Sequence, residues 1–172
     1  MRIGLAGTMS VGKTTLAKAL GELDQFKDHS VQTERSKYLR DLGIPLNTDS
    51  TLRGQFVFLA ERSTELLYDN IITDRTIWDV CSFTLSAKSI SDFEKRAFVE
   101  AAMHLKDYYD MVIYVSPNGV DIEDNGIRET NLEYRSKIDT AIQMALEEYK
   151  PNKLIKVEGT TEERIAIILQ NI

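Results

Sequence analysis

Cysteine is almost missing from this chain. Cys81 is the only one, which excludes an internal disulfide and any cysteine-built zinc site. Proline is scarce too, three residues against nine glycines, and with 42% hydrophobic and 28% charged residues disordered and collagen-like architectures are out. No apolar run approaches the roughly 18 residues that a membrane-spanning helix needs. The segment after Met1 lacks the charged start, long apolar stretch and small-residue cleavage site of a secretory leader. A cytoplasmic protein with no membrane partner is therefore expected. Basic charge is in deficit: 21 Lys and Arg stand against 27 Asp and Glu, a net charge of −6. That balance counts against a broad electrostatic footprint on nucleic acid or anionic lipid, though not against a short basic groove. What is there is a chain of 172 residues, 42% hydrophobic and 28% charged, without repeats or linkers. It reads as a single domain over 1–172.

Strand-like and helix-like blocks alternate along it. Arg2 to Ala6 reads as a short buried strand and Lys13 to Leu23 as a helix. Val31 to Thr33 is a short strand, followed by a helix around Ser36 to Leu42 that Gly43-Ile44-Pro45 breaks. Thr51 to Tyr68 repeats Leu52, Phe56, Leu59, Leu66 and Leu67 at helical period. Asn70 to Thr73 is a strand, and Ile77 to Ala87 a helix. Asp92 to Tyr109 is a helix whose apolar face is expected to be Phe93, Ala97, Ala101 and Leu105. Met111 to Val115 is apolar throughout and is the clearest strand. Leu132 to Tyr149 is a helix, Leu154 to Val157 a strand, and Glu162 to the end a helix with a Thr160–Glu163 capping box. Strands separated by helices pair in parallel, because a parallel crossover needs a dozen or more residues. The expected fold is a three-layer α/β sandwich with five parallel strands and helices on both faces. Ligands of such sheets bind beyond the carboxyl ends of the strands. That edge carries Gly7 to Thr14, Glu34, Asp74 with Arg75, Ser116 onward, and Glu158 to Thr161.

The stretch Gly7-Thr8-Met9-Ser10-Val11-Gly12-Lys13-Thr14 matches G-x-x-x-x-G-K-[ST], the P-loop. Its glycines let the backbone curl into a ring of N–H donors around a phosphate. Lys13 reaches the β- and γ-phosphates, Thr14 offers a hydroxyl to Mg²⁺, and the following helix aims its positive end at the same anion. Nucleotide binding follows; the reaction does not. Asn152-Lys153-Leu154-Ile155 fails the Asn-Lys-x-Asp pattern of guanine readers, because Ile stands at its fourth place. The strand Ile71-Ile72-Thr73 ends in Asp74-Arg75, with arginine where a hydrolytic ATPase carries its glutamate. An arginine is no general base, but it holds phosphates and acidic groups.

On the helix from Thr51, the residues Gln55, Phe58 and Arg62 share one stripe. An amide, a ring and a guanidinium suit a nucleobase; the alternative is a core phenylalanine with two surface neighbours. Trp78 and Asp79 follow the Asp-Arg pair closely. Asp79 is read either as a partner of ribose hydroxyls or as a helix-surface acid. His29 and His104 stand in no motif, Tyr108 and Tyr109 read as packing, and Cys81 as a small buried residue.

Taken together, the P-loop, the carboxylate Glu34 with Arg35 after the second strand, Asp74-Arg75 after the third, and Gly126-Ile127-Arg128 before the last strand resemble the P-loop nucleoside and nucleotide kinases. Most of the chain takes part. The resemblance is closest to small AAA-domain kinases similar to the nicotinamide riboside kinase domain, then to deoxynucleoside and thymidylate kinases. It implies a strand order of 2-3-1-4-5. It implies that ATP binds at Gly7, Ser10, Val11, Gly12, Lys13, Thr14 and Thr15, with Gly159-Thr160 against the adenine, although a plain capping turn fits Thr160 as well. It implies Mg²⁺ on Thr14 and Asp74, and Glu34 as the carboxylate that takes the acceptor's proton, where a helix-start acid is the alternative. Glu34, Arg35, Gln55, Phe58, Arg62, Arg75, Trp78 and Asp79 would form the acceptor side. A lid over about 119–137 would bring Arg128 and Arg135 onto the phosphates. The expected activity is transfer of the γ-phosphate of ATP to a nucleoside or nucleoside monophosphate. A kinase acting on a hydroxyl of a polynucleotide or modified base, and a non-catalytic ATP-binding module, stay open as alternatives. The expected partners are a small nucleoside or nucleotide and, as an open option, a second copy in a homodimer; nucleic acid is not favoured.

Overall fold

The computed structural model describes residues 1–33, 35–120 and 131–172. Its centre is one parallel sheet of five strands: β1 (Arg2–Ala6), β2 (Ser30–Gln32), β3 (Ile71–Asp74), β4 (Met111–Val115) and β5 (Leu154–Val157), in the order β2-β3-β1-β4-β5. The register puts Leu5 of β1 beside Asp74 of β3 on one flank and Ile113 of β4 on the other. The carboxyl ends of three adjacent strands thus lie level, and the loops leaving them meet.

Side chains alternate across a strand, and each face of this sheet has its own core. Ile3, Leu5, Ile72, Ile113 and Val157 face α1 (Lys13–Gly21) and α7 (Thr161–Leu169), which supply Leu16, Leu20 and Ile168. Ala6, Val112 and Tyr114 point the other way, toward α4 (Ile77–Ser86), α5 (Asp92–Met103) and α6 (Leu132–Glu148). Every residue of helix α4 except Leu85 is buried, the polar Asp79, Ser82 and Thr84 being satisfied by hydrogen bonds. The short α2 (Ser36–Asp41) and the longer α3 (Leu52–Glu65) close the β2 side. Ser91–Glu94 and Thr160–Glu163 form reciprocal capping boxes that start α5 and α7; the second agrees with the sequence expectation.

Two helices turn a different face inward than their periodicity suggests. In α5 the buried residues are Phe98, Val99, Ala102 and Met103, while Phe93 is 74% exposed. Both stripes of this helix are partly apolar, and only contact with α4 selects between them. In α3, Phe56 lies exposed, as does Leu67 just beyond its end, whereas Gln55, Arg62 and Glu65 are buried. The polar stripe faces inward there because it borders a cleft and a set of ion pairs.

Candidate active site

The loop between β1 and α1 wraps around the site. Gly12 adopts φ 82°, a left-handed conformation costly for a side-chain-bearing residue. A Cβ on Gly7 would stand 2.7 Å from the carbonyl oxygen of Val115, so this loop passes close over the end of β4. Ser10 also takes positive φ, 58°, and lets successive backbone N–H groups face one side. The Lys13 ammonium donates to the carbonyls of Gly7 at 2.6 Å and Thr8 at 2.7 Å.

A cleft of about 380 Å³ opens from this loop. Ser10, Val11, Gly12, Lys13, Thr14 and Thr15 form one end; Gln55, Phe58, Val80, Phe83 and Arg75 form the other. Asp74 stands between them. It is the last residue of β3, and its carboxylate accepts a hydrogen bond from the Thr14 hydroxyl. Two hard oxygen donors in contact at the mouth of a phosphate loop fit Mg²⁺, which takes one or two protein ligands and completes its shell with phosphate oxygens and water. Among the described residues no group of three or more His, Cys, Asp or Glu could hold a metal without such help.

Beside Asp74, Arg75 has φ 109°, well outside the usual range for a residue with a side chain. Its guanidinium lies 4.8 Å from the centre of the Phe83 ring, so cation and ring together make one wall of the cleft. Gln55 is 2% exposed and lines the same end. Its side chain has no hydrogen-bond partner among the described residues. The amide opens on the cleft, where its oxygen can accept from a ligand and its nitrogen donate to one.

Other sequence candidates lie elsewhere. Trp78 is wholly buried, its ring packs on Tyr109 and its indole N–H donates to the Tyr149 carbonyl at 2.9 Å. It belongs to the core, on the side of α4 turned away from the cleft residues Val80 and Phe83, and is corrected from the acceptor group. Asp79 is buried, not on the helix surface, and its carboxylate is taken up by backbone and hydroxyl donors. It accepts from the Thr76 N–H and hydroxyl in a capping box and from the Gly7 N–H at 3.0 Å, tying α4 to the phosphate loop. Arg62 sits below the cleft, donating to the Asp74 carbonyl at 3.3 Å and to Glu65 at 2.7 Å. Arg35 is exposed, pairs with Glu61 at 3.6 Å and covers the Tyr38 ring; it does not line the cleft. Burial pushes the Glu65 carboxyl up to about 7, against the pull of Arg62.

Arg135, expected over the phosphates, lies behind the loop and donates to the carbonyls of Met9, Ser10 and Val120. Thr160 caps α7 and Gly159 takes φ 86° beside it. Glu34 and Arg128 lie outside the described residues. One buried arginine escaped the sequence reading: Arg164 of α7 donates to the Val11 carbonyl at 2.7 Å. Its signal was there, an arginine on the inward stripe four residues before Ile168.

A family model described as an AAA domain matches residues 2–164. The chain belongs to this AAA-domain family. Among solved structures, deoxyadenosine kinase from M. mycoides with bound dCTP superposes with a TM-score of 0.69 at 18% identity, covering 99% of this chain and 98% of that one. The same enzyme with bound dATP gives 0.63 at 17% identity, covering 99% and 98%. With its products dCMP and a flexible dCDP it gives 0.63 at 17%, covering 99% and 97%. No curated protein matches the sequence. The AAA-domain chain thus has a P-loop kinase fold over its length, with the strand order 2-3-1-4-5 that the sequence resemblance implied. Among the described residues no helix is long and apolar enough to cross a membrane.

Proposed function

We propose that this AAA-domain protein is a phosphotransferase that moves the γ-phosphate of ATP to a nucleoside or nucleoside monophosphate. One observation carries the reading: a single cleft joins the phosphate loop to Gln55, whose amide opens into it from an otherwise buried position. A molecular switch needs only the first half of that cleft. The second half has the parts of a base site, an amide for the base edge and the Phe58 ring for its face. The conformation of Arg75 adds support, since strained backbone persists where the surroundings hold a side chain to a task. The ligands bound in the deoxyadenosine kinase structures are of the same chemical kind.

In this reading the N–H groups of Ser10 to Thr15 and the Lys13 ammonium hold the triphosphate. Thr14 and Asp74 would hold Mg²⁺, which when bound supplies charge neutralisation between the phosphates. Gln55 and Phe58 orient the acceptor, and Arg75 steers its hydroxyl-bearing end or a phosphate on it. Glu34 takes the proton of the attacking hydroxyl, and Arg128 adds positive charge as the phosphoryl group moves; both roles rest on the sequence resemblance. Arg35 and the Gly159-Thr160 turn remain as outer contacts of acceptor and adenine. Incubation with γ-labelled ATP and Mg²⁺ against a panel of nucleosides, monophosphates, nicotinamide riboside and DNA tests the reading. A labelled nucleotide product is expected. Label on DNA alone, or ATP binding without transfer to any acceptor, overturns it.

A further inference from the structure

Five successive carbonyls of the phosphate loop each accept from a cationic side chain. Lys13 serves Gly7 and Thr8. Arg135 of α6 serves Met9 at 3.2 Å and Ser10 at 3.4 Å. Arg164 of α7 serves Val11 at 2.7 Å. The two arginines come from helices on opposite faces of the sheet, and they are only 6% and 3% exposed. Arg135 is bound back in turn, because its own carbonyl accepts from the Thr8 hydroxyl at 3.1 Å. Arg164 also fills the space over Gly12, where an added Cβ would stand 3.1 Å from its Nη1.

A peptide unit is planar and trans, so the carbonyl of one residue and the N–H of the next point in opposite directions. A guanidinium that fixes the carbonyls of residues 9, 10 and 11 from outside therefore fixes the N–H groups of residues 10, 11 and 12 toward the anion. It also polarises those peptides, making each N–H a stronger donor. Bringing a guanidinium out of water is costly, and the buried Arg164 Nη1 spends its hydrogen bond on a backbone oxygen of the loop.

We propose that Arg164, together with Arg135, is a positioning residue that presets the N–H ring of the phosphate loop from its outer side, so that the affinity for a polyphosphate depends on a side chain that never touches it. The proposal rests on the P-loop part of the functional reading and not on the identity of the acceptor.

The test measures binding of inorganic tripolyphosphate by calorimetry, beside the melting temperature, for the parent, Arg164→Met, Arg164→Lys and Arg2→Met. Arg2 also donates to a backbone carbonyl, that of Tyr68, but far from the loop. Loss of one charge-assisted bond and its polarisation is expected to weaken tripolyphosphate about tenfold or more in Arg164→Met. Arg164→Lys should recover part of the loss, and Arg2→Met should keep parental affinity. In steady-state transfer, the KM for ATP should rise more than kcat falls. Parental tripolyphosphate affinity in folded Arg164→Met overturns the proposal, as does an equal loss in Arg2→Met. If Arg164→Met does not fold, Arg164→Gln, neutral but able to donate one hydrogen bond, is held to the same criterion. A parent that binds tripolyphosphate but phosphorylates no acceptor sinks the kinase reading and leaves this inference standing. A parent that binds no tripolyphosphate sinks both.

Discussion

The Lys13 ammonium closes the phosphate loop upon itself through two carbonyls, and in the proposed reaction the same charge meets the transferring phosphoryl group. Lys13→Ala should therefore lower transfer by roughly 10²–10⁴, or about 3–5 kcal/mol of transition-state stabilisation. The chain should still fold, because the carbonyls left behind border the cleft. Initial rates beside a circular dichroism melt check both parts, and near-parental transfer by the folded variant refutes the assignment. The two carboxylates separate in the same kind of experiment. Asp74 touches the Thr14 hydroxyl, so Asp74→Asn should weaken the Mg²⁺ dependence and ATP use together, with partial rescue by added Mg²⁺. Glu34→Gln should leave ATP binding near the parental value and lower turnover by about 10²–10⁴, toward the lower end for a loose transition state. Rescue of Glu34→Gln by metal, rather than of Asp74→Asn, would mean the roles are exchanged.

Helix α3 turns a polar stripe inward. Sequence period alone assigns its apolar residues to the core, and for Leu52, Leu59 and Leu66 that agrees with their packing. Phe56 breaks the pattern at 49% exposure, since α3 has both a core and a cleft to face. Gln55 is where this polar stripe reaches the cleft, at the end proposed to hold the base. Gln55→Ala should raise the acceptor KM by about five- to a hundredfold, the effect of leaving a buried partner unpaired at roughly 1–3 kcal/mol. The KM for ATP should move little, and discrimination among bases should relax. Unchanged acceptor choice across a nucleoside panel would show that the stripe reads nothing. Helix α7 carries a different kind of test. Its capping box joins Thr160 and Glu163, and Thr160→Ala should cost about 1 kcal/mol in denaturant unfolding. A cost near zero would mean that the cap is not what starts this helix.

At the scale of the whole molecule, the buried carboxylate of Glu65 links stability to pH. Its folded value is pushed up to about 7 by burial, above the ordinary 4.5, and Arg62 offsets only part of that. The folded protein then holds a proton that the unfolded chain releases between about pH 4.5 and 7. Stability contributed by this group is present below that window and falls as pH rises through it, levelling off above. The loss should reach about 2–3 kcal/mol, discounted for the water that still reaches the carboxylate. Unfolding free energies of the parent and Glu65→Gln at pH 5 and pH 8 isolate it. The difference should shift in favour of the variant at the higher pH, and parallel pH curves would contradict the assignment.

The sequence by itself determined the elements and the phosphate loop. Strands β1, β4 and β5 coincide with their apolar runs, and the P-loop needs only local spacing, because its donors are consecutive backbone groups. It also determined which strand ends could bear ligands, since a parallel sheet brings its carboxyl edges together. Tertiary structure decided what local pattern leaves degenerate. It chose between two apolar stripes on α5, sent Trp78 into the core, and spent Asp79 on the Gly7 N–H. It placed Arg135 and Arg164 behind the phosphate loop, from helices more than a hundred residues along the chain. A side chain's chemistry is local, but the groups that satisfy it when buried are brought by the rest of the fold, and no periodicity within one helix names them.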